Sequence, residues 1–344
     1  MQELKDKYGR TFRTLRVSLL QHCNLGCIYC VAGEEELKQA NAEHNGRLPG
    51  SGDLPGSGTL PGNGDLPGSG GFLAPEDLLS IIRRLHGQLK LDNIRLTGGE
   101  PLLYPHLAGL IKGIRAAGIP VVRLTTNGFL LQRQAAALKE AGLEALNVSL
   151  DAVDEDVFFR VTRRHSAGRI IQGIDAALAA GLDVKLNAVV IKDMNDSQIQ
   201  PLLELAFSRG LRIRFLEVMA MGHMHNQAGR YLVSQEEILR IVGQRYSLQP
   251  LPREPSATAR YWKTAEGHVF GIIANESEPF CQDCDRLRLD SSGRIYGCLS
   301  SNQPIALSLE EGEEEWKRKL GSALLQKQPL RFTGSDLSML RIGG

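Results

Sequence analysis

The chain has 344 residues, of which 42% are hydrophobic, and 40 lysines and arginines against 39 aspartates and glutamates give it a net charge of +1. This composition excludes collagen-like, disulfide-stapled and wholly disordered proteins, and the near-zero charge argues against nucleic acid as a partner. No apolar run approaches the roughly 18 residues of a membrane span, and the amino-terminal residues lack the apolar segment of a secretory signal, so we expect a cytoplasmic enzyme of one or two domains.

Short apolar or β-branched runs alternate with amphipathic helical patterns through much of the chain. The runs predict strands at residues 15–20, 93–96, 121–126, 145–150, 184–191 and 213–218. Most of the stretches between them have apolar residues at helical spacing and end at a glycine. This alternation predicts a parallel sheet, and either a doubly wound sheet or an incomplete (β/α) barrel satisfies it. In both architectures, catalytic residues belong at the carboxyl ends of the strands.

A six-residue repeat interrupts this pattern between residues 48 and 71, where the sequence reads LPGSGD, LPGSGT, LPGNGD and LPGSGG. Glycine is entropically costly to order and proline lacks a backbone donor, so this composition favours neither helix nor sheet. We therefore predict a flexible surface insert over about residues 36–71.

The pattern changes after Pro250. Residues 261–263 and 269–273 predict a pair of strands, a cysteine-containing segment follows, and a charged helix is expected near residues 313–325. These features predict a core of residues 1–250, a C-terminal region of residues 251–330 packed on it, and a tail of residues 331–344.

Three cysteines follow the first predicted strand. Cys23, Cys27 and Cys30 have the spacing C-x3-C-x2-C in HCNLGCIYC. Thiolates are soft ligands that select iron–sulfur clusters or zinc. Three thiolates leave one metal position open, which a catalytic site requires and a structural zinc site avoids. A zinc site with a distant fourth ligand, or three inert buried thiols, would also fit this spacing.

The other three cysteines, Cys281, Cys284 and Cys298, have the spacing C-x2-C-x13-C. The turn SSG before Cys298 predicts a hairpin that brings this cysteine back toward the first two. If the C-terminal region caps the barrel, this triplet also lies near the catalytic site. The alternative is a structural zinc site completed by a histidine, for which His268 is the nearest candidate upstream.

The first cysteine motif resembles that of the radical S-adenosylmethionine (SAM) superfamily, whose three cysteines hold a [4Fe-4S] cluster with SAM on its fourth iron. TGGEP at residues 97–101 and NVSLD at residues 147–151 are similar to further features of that superfamily. With the second cysteine triplet, RLR at residues 286–288 and the terminal Gly-Gly, the resemblance narrows to the GTP 3',8-cyclase family. It covers nearly the whole chain except about residues 36–71. It implies an α/β fold, an incomplete (β/α)6 TIM-like barrel of the radical SAM type, with a C-terminal α+β extension that closes its open side.

The resemblance also implies two [4Fe-4S] clusters and SAM as cofactors. The first cysteine triplet would bind the first cluster and the second triplet the second cluster, whose open iron meets the purine of GTP. The positions that match SAM-binding residues are Tyr29, Gly99, Ser149 and Met219. The positions that match GTP-binding residues are Arg16, Arg95, Thr126, Lys185, Arg286, Leu287 and Arg288. The residues that the resemblance assigns to catalysis are Arg16, Arg286, Arg288, Gly343 and Gly344.

The basic residues and the tail in this set also have a physical rationale. The charges of a triphosphate require converging cations, and arginine supplies fixed bidentate donors. Lys185 and Arg95 lie inside β-rich runs, where an inward charge is costly unless something pairs with it. Gly343 and Gly344 have no side chains and can thread into a crowded site, although a frayed tail without function would also account for them.

Three positions depart from the pattern of the family. His22 stands where an arginine is common, Asn93 where a lysine is common, and Asp285 where an asparagine or threonine is common. One cation beside the nucleotide is thereby lost, and an anion is added beside Arg286.

The implied function is radical cyclisation of GTP in the first step of molybdenum cofactor biosynthesis, by a lyase. Hydrogen is removed from C3' of the ribose, and that carbon attacks C8 of guanine to give (8S)-3',8-cyclo-7,8-dihydroguanosine 5'-triphosphate. The implied partners are GTP, an electron donor such as flavodoxin or ferredoxin, and cyclic pyranopterin monophosphate synthase, which receives the product. Neither nucleic acid nor a membrane is expected as a partner, and a homodimer is compatible with the sequence.

Two other classes of protein remain compatible with these residues. Another two-cluster radical SAM enzyme could modify a peptide or a small molecule, although such enzymes usually have more cysteines in the C-terminal region. The other class is a non-catalytic metal-binding protein. It is disfavoured because it would give the TGGEP segment and the inward-facing cations no function.

Overall fold

Six parallel strands form the centre of the molecule. The computed structural model describes residues 4–42 and 73–343, so the LPGSG-type repeat and Gly344 lie outside the described residues. All six strands predicted from the apolar runs are present, with bounds within two residues of the predicted ones. They are β1 (Thr14–Ser18), β2 (Asn93–Thr97), β3 (Val121–Thr126), β4 (Ala145–Ser149), β5 (Asp183–Val190) and β6 (Arg212–Glu217).

Helices alternate with these strands, and the longer ones bury an apolar stripe in the hydrophobic core. They are α1 (Glu34–Ala42), α2 (Pro75–Leu89), α3 (Leu107–Ala116), α4 (Leu131–Glu140), α5 (Glu155–Thr162), α6 (Ala167–Ala179), α7 (Ile199–Ser208), α8 (Ala228–Tyr231) and α9 (Gln235–Gly243). In α2, the residues at helical spacing, Leu78, Ile81, Ile82 and Leu85, are all buried. Helix α1 includes residues 36–42, and the rest of the predicted insert, residues 43–71, lies outside the described residues.

The C-terminal strands lengthen this sheet at both edges. They are β7 (Leu248–Pro250), β8 (Arg260–Thr264), β9 (Val269–Ile273), β10 (Arg286–Leu289), β11 (Arg294–Tyr296) and β12 (Ile305–Ala306), followed by α10 (Glu313–Leu325) and α11 (Met339–Ile342). The order across the sheet is β12-β11-β10-β1-β2-β3-β4-β5-β6-β9-β8-β7. Strand β9 pairs parallel with β6, and β10 pairs parallel with β1. The sheet therefore has two free edges, and the incomplete barrel is confirmed.

Loops of the C-terminal region link the β7 edge of the open sheet to β10 and the segment before it. Arg253, which follows β7, forms an ion pair with Asp283 at 2.7 Å. The backbone nitrogen of Ser256 donates to the same carboxylate at 2.8 Å, and Arg286 Nη1 on β10 donates to the carbonyl of Ser256 at 2.7 Å. These contacts span the open side of the barrel. The division of the chain at residue 250 stays a prediction, since the twelve strands of the described residues all lie in one sheet.

The two faces of the central strands differ in chemistry. Leu15, Val17, Ile94 and Leu96 are fully buried in the hydrophobic core. Because side chains alternate along a strand, the intervening residues, such as Arg16, face the interior of the barrel. Among the described residues, no helix has the length and apolar character needed to cross a membrane.

Candidate functional site

The first cysteine triplet lies in the loop after β1, at the carboxyl edge of the parallel strands. Cys23, Cys27 and Cys30 are free thiols and are half-buried. Burial raises the pKa of all three thiols, to about 12 for Cys30. The charges of neighbouring sulfurs raise the pKa of Cys23 and Cys27 further, so the three thiols lie close enough for their charges to interact. Such thiols give up their protons when a metal binds, because the thiolate is the ligand.

Neighbouring strand ends hold this loop in place. The backbone nitrogen of Glu100 donates to the carbonyl of His22 at 2.8 Å. Asn127, after β3, donates from Nδ2 to Asn24 Oδ1 at 2.8 Å and to the Cys23 sulfur at 3.7 Å. The TGGEP segment and the end of β3 therefore position the cysteine loop.

The four residues that match SAM-binding positions lie in the loops or at the strand ends on this edge. A Cβ on Gly99 would lie 2.1 Å from the carbonyl oxygen of His22, so only glycine fits there. The Tyr29 hydroxyl donates to Asp151 at 2.8 Å, and burial raises the pKa of that carboxyl to about 6. Ser149 ends β4 and Met219 follows β6. The structure thus brings these residues to the side of the sheet that holds the first triplet.

Glu100 is a fully buried carboxylate behind this edge. It accepts hydrogen bonds from Thr126 Oγ1 at 2.6 Å, from the Asn127 nitrogen at 2.7 Å and from the Leu102 nitrogen at 2.9 Å. Burial raises its pKa to about 7, although these hydrogen bonds oppose the increase. Thr126 is a predicted GTP-binding residue, but its hydroxyl is used inside the protein, where it also accepts from the Gly128 nitrogen at 3.0 Å. Thr126 thus positions Glu100 in this structure, and its contact with GTP stays a prediction.

The second cysteine triplet lies at the amino edge of the sheet. Cys281 and Cys284 precede β10, which runs parallel to β1, and Cys298 follows the antiparallel strand β11. Thr14 Oγ1, at the start of β1, donates to Asp285 at 2.9 Å. The predicted hairpin is confirmed. The sequence predicted catalytic residues at the carboxyl edge only. In the structure, the two triplets lie at opposite ends of the barrel interior.

Positive charge surrounds the second triplet. Lys327 Nζ donates to the Cys284 sulfur at 3.4 Å. Burial alone would raise the pKa of Cys284, but the charges of Arg286 and Lys327 outweigh it and lower the pKa to about 7. Burial and the two neighbouring sulfurs raise the pKa of Cys281 to about 11. The three sulfurs therefore lie close enough for their charges to interact, and the lowered pKa of Cys284 suits a metal ligand.

The alternative of a structural zinc ion fits this arrangement poorly. His268, its candidate fourth ligand, stacks on Phe207 of α7 with ring centroids 4.4 Å apart. Three cysteines whose candidate fourth ligand packs elsewhere fit an iron–sulfur cluster, which contains several metal atoms.

Six guanidinium groups line the interior between the two triplets. They belong to Arg16, Arg95, Arg123, Arg214, Arg286 and Arg288. Strand register places Arg16 between Arg288 and Arg95, and Arg95 between Arg16 and Arg123. Burial and the repulsion of neighbouring arginines lower the pKa of Arg95 to about 9 and lower that of Arg16 strongly. We refer to these six residues as the arginine band.

Little negative charge in the described part of the chain balances the arginine band. Asp285 lies 3.9 Å from Arg286, and Arg214 Nε donates to the neutral Asn187 at 2.9 Å. Arg16 Nε and Arg214 Nη2 are buried and have no hydrogen-bond partner among the described residues. Since buried cations without anions are costly, this interior suits a polyanionic ligand such as a triphosphate.

Two other residues predicted to bind GTP are placed differently. Lys185 Nζ forms an ion pair with Asp183 at 2.9 Å near the start of β5, so its charge already has an internal partner. The Leu287 side chain is fully buried in the hydrophobic core, on the face opposite to Arg286 and Arg288. The Leu287 side chain therefore points away from the interior, and its predicted contact with GTP would be made by the backbone.

The C-terminal tail enters the interior from the carboxyl edge. Gly343 has a φ of +78°, and a Cβ there would lie 2.8 Å from Thr97 Cγ2. Arg288 Nη1 donates to the carbonyl of Gly343. Gly343 therefore reaches the interior, while Gly344 lies outside the described residues.

Sequence reasoning missed three residues of this site, Arg123, Arg214 and Lys327. Arg123 and Arg214 could have been found, because each lies inside a β-rich run as Arg95 does. Lys327 follows α10 in a polar segment, and nothing local in the sequence indicates its contact with Cys284.

Comparison with known proteins supports this fold. The family model described as Radical SAM superfamily matches residues 17–206, and the model described as Molybdenum Cofactor Synthesis C matches residues 211–332. Streptococcus suis SuiB bound to precursor peptide SuiA has a TM-score of 0.60 at 15% identity, over 92% of this chain and 71% of that chain. Native anSMEcpe with bound AdoMet has a TM-score of 0.55 at 13% identity, over 88% of this chain and 80% of that chain.

Several sequence relatives are named GTP 3',8-cyclase. The protein from Corynebacterium glutamicum is 36% identical over 99% of this chain and 89% of its own length. The protein from Synechocystis sp. is 33% identical over 99% of this chain and 95% of its own length. The protein from Staphylococcus epidermidis is 35% identical over 86% of this chain and 81% of its own length. Since these relatives match nearly the whole chain, and its first part also matches the superfamily model, the chain belongs to the GTP 3',8-cyclase family of the radical SAM superfamily.

Proposed function

We propose that this chain converts GTP to (8S)-3',8-cyclo-7,8-dihydroguanosine 5'-triphosphate, in the first step of molybdenum cofactor biosynthesis. The cofactors are [4Fe-4S] clusters and SAM, as membership of the family requires. The observation that carries the proposal is the arginine band, because it lies between two cysteine triplets and has little negative charge to balance it.

Each cofactor has a set of side chains that fits it. The first cluster would be held by Cys23, Cys27 and Cys30, and the second by Cys281, Cys284 and Cys298. SAM would lie against Tyr29, Gly99, Ser149 and Met219. When bound, the first cluster and SAM supply the radical that removes a hydrogen atom from C3' of the ribose.

The chain's own contribution is to bind, orient and shield the nucleotide. Arg16, Arg95 and Arg288 lie side by side on three adjacent strands and would bind the phosphates with charge-assisted hydrogen bonds. The charges of Cys284 and Cys298 act on Arg288, which also donates to Gly343, so this arginine connects the second triplet with the tail. Orientation of this kind lowers a barrier because it fixes the reacting atoms before the reaction.

An apolar cluster beside the tail would exclude water from the interior. It consists of Met221, Tyr296, Phe332 and Ile342, all buried, and Met219 packs against it. A dry interior strengthens every interaction between the arginines and the phosphates and protects a radical from side reactions.

The proposal extends to partners and to the organisation of the chain. A protein such as flavodoxin or ferredoxin would supply the electron, cyclic pyranopterin monophosphate synthase would receive the product, and a homodimer is compatible with these roles. The core of residues 1–250, the second-cluster region of residues 251–330 and the tail of residues 331–344 would be its functional parts. The two family models meet between residues 206 and 211, earlier than this boundary.

Anaerobic reconstitution with iron and sulfide, followed by incubation with SAM, GTP and dithionite, tests the function. We expect about eight irons per chain and 5'-deoxyadenosine formed together with cyclised GTP. ATP in place of GTP is the matched control and should give no cyclised product. Absence of cyclised GTP from protein that contains both clusters and cleaves SAM would overturn the proposal and favour a different radical substrate.

A further inference from the structure

Lys327 is a buried lysine whose charge faces a cysteine sulfur. The residue is 4% exposed, and its Nζ donates to the Cys284 sulfur at 3.4 Å and to the carbonyl of Arg286. The ammonium also lies 4.9 Å from the centroid of the Phe12 ring. Among the described residues, no carboxylate forms an ion pair with Lys327.

Other lysines of this region have a different environment. Lys319, on α10, pairs with Glu311 and is 17% exposed in its side chain, and Lys317 pairs with Glu314 at 2.9 Å. A buried ammonium is costly unless an anion or several acceptors compensate it. For Lys327 the compensating groups are a backbone carbonyl, an aromatic face and the thiol of Cys284, which becomes an anion when it binds a metal.

We propose that Lys327 tunes the second cluster by donating a hydrogen bond to the sulfur of Cys284 and by placing a positive charge beside it. The inference rests on the proposed function, because it requires a cluster at Cys281, Cys284 and Cys298. Hydrogen bonds to the sulfurs and nearby charge are two of the factors that set the reduction potential of such a cluster. Both stabilise the reduced cluster, which has one more negative charge than the oxidised cluster. Lys327 therefore keeps the potential of the second cluster higher than the same three cysteines would alone.

The role is one of positioning, because Lys327 touches a metal ligand and the backbone of Arg286. Its contact with that carbonyl also fixes the start of β10, on which Arg286 and Arg288 lie. The effect of the charge on the cluster can be separated from the contact with the Arg286 carbonyl. Glutamine at position 327 retains a neutral donor for that carbonyl, whereas methionine retains only the length of the side chain.

The test is a redox titration of the reconstituted holoenzyme, followed by electron paramagnetic resonance. The variants are Lys327→Met, Lys327→Gln and Lys327→Arg, with Lys319→Met as the matched control. The first cluster is the one whose spectrum changes when SAM is added. We expect the midpoint potential of the other cluster to move to more negative values in the Met and Gln variants, and to return toward the wild-type value in the Arg variant. The first cluster and the Lys319→Met protein should keep their wild-type potentials.

Two results would overturn the inference. One is an unchanged potential of the second cluster in Lys327→Met and Lys327→Gln proteins that contain about eight irons. The other is loss of the second cluster in both variants but not in Lys327→Arg, which would make Lys327 a structural contact rather than a tuning group. Wild-type protein with only about four irons would instead contradict the proposed function itself, so the two failures are distinguishable.

Discussion

The side chain of Arg288 is bound to the end of the chain at Gly343. Its Nη1 donates to the carbonyl of Gly343, and the carbonyl of Ile342 lies 3.5 Å from the same nitrogen. Arg288 is also beside Arg16 in the strand register. One guanidinium thus connects the tail with the arginine band, so both should affect the same step of catalysis.

Replacing Arg288 by Ala should uncouple SAM cleavage from cyclisation. The variant loses a cation that faces the nucleotide and a charge-assisted contact with the tail, and such a contact contributes about 1.5–3 kcal/mol. We expect cyclisation to fall about tenfold or more, while both clusters and the formation of 5'-deoxyadenosine persist. The measurement is the yield of both products in the same reaction, together with the iron content.

Arg294→Ala is the matched control for this prediction. Arg294 lies on the neighbouring strand β11, is partly exposed and pairs with Asp290 at 2.8 Å. Its loss should leave cyclisation near the wild-type rate. Normal yields of both products from Arg288→Ala, and from a chain without Gly343 and Gly344, would show that neither the guanidinium nor the tail positions the substrate.

The sequence predicts the strands and much of the arginine band for a simple physical reason. Apolar side chains on alternate positions must face the helices, so a charged residue between them, such as Arg95, faces the interior. The same rule applies to Arg123 and Arg214, and applying it to every strand would have found them. These features depend on local alternation, which the sequence contains.

Features that depend on distant contacts could not be predicted in this way. The second triplet lies at the amino edge because Arg286 pairs with Thr14, which is remote in sequence. The hydroxyl of Thr126 is directed to Glu100 by the packing of two strand ends, so a motif match at Thr126 does not show which group it contacts. Contacts between segments that are distant in sequence determine both the position of the second triplet and the partner of the Thr126 hydroxyl.

Single cysteine replacements should separate the two triplets. Cys27→Ala removes one of three convergent thiolates at the carboxyl edge and should abolish SAM cleavage. Cys284→Ala should leave part of that cleavage but stop the conversion of GTP, because its triplet lies at the opposite edge. In both variants we expect the iron content to fall from about eight to about four per chain. Conversion of GTP at the wild-type rate by Cys284→Ala would contradict the assignment of the second cluster to the substrate.

Arg123→Ala should weaken GTP binding without affecting SAM cleavage in the absence of GTP. Arg123 lies next to Arg95 across β2 and β3, and its charge also acts on Arg214. Removing one of several converging cations should raise the KM for GTP by roughly tenfold. Arg133→Ala, an exposed arginine on α4, should keep the wild-type KM. Equal KM values for the two variants would place Arg123 outside the binding site.

Glu100 should make the metal-free chain less stable as the pH rises from about 4.5 to about 7. Burial raises the pKa of its carboxyl from 4.5 to about 7. Between these values the folded chain holds a proton that the unfolded chain releases, so the free energy of unfolding falls with rising pH. Urea unfolding under argon at about pH 5 and about pH 7.5 measures this change. Glu100→Gln should reduce the pH dependence, whereas the exposed Glu76→Gln should not. An equal slope in the wild-type and Glu100→Gln proteins would mean that Glu100 is ionised throughout this range.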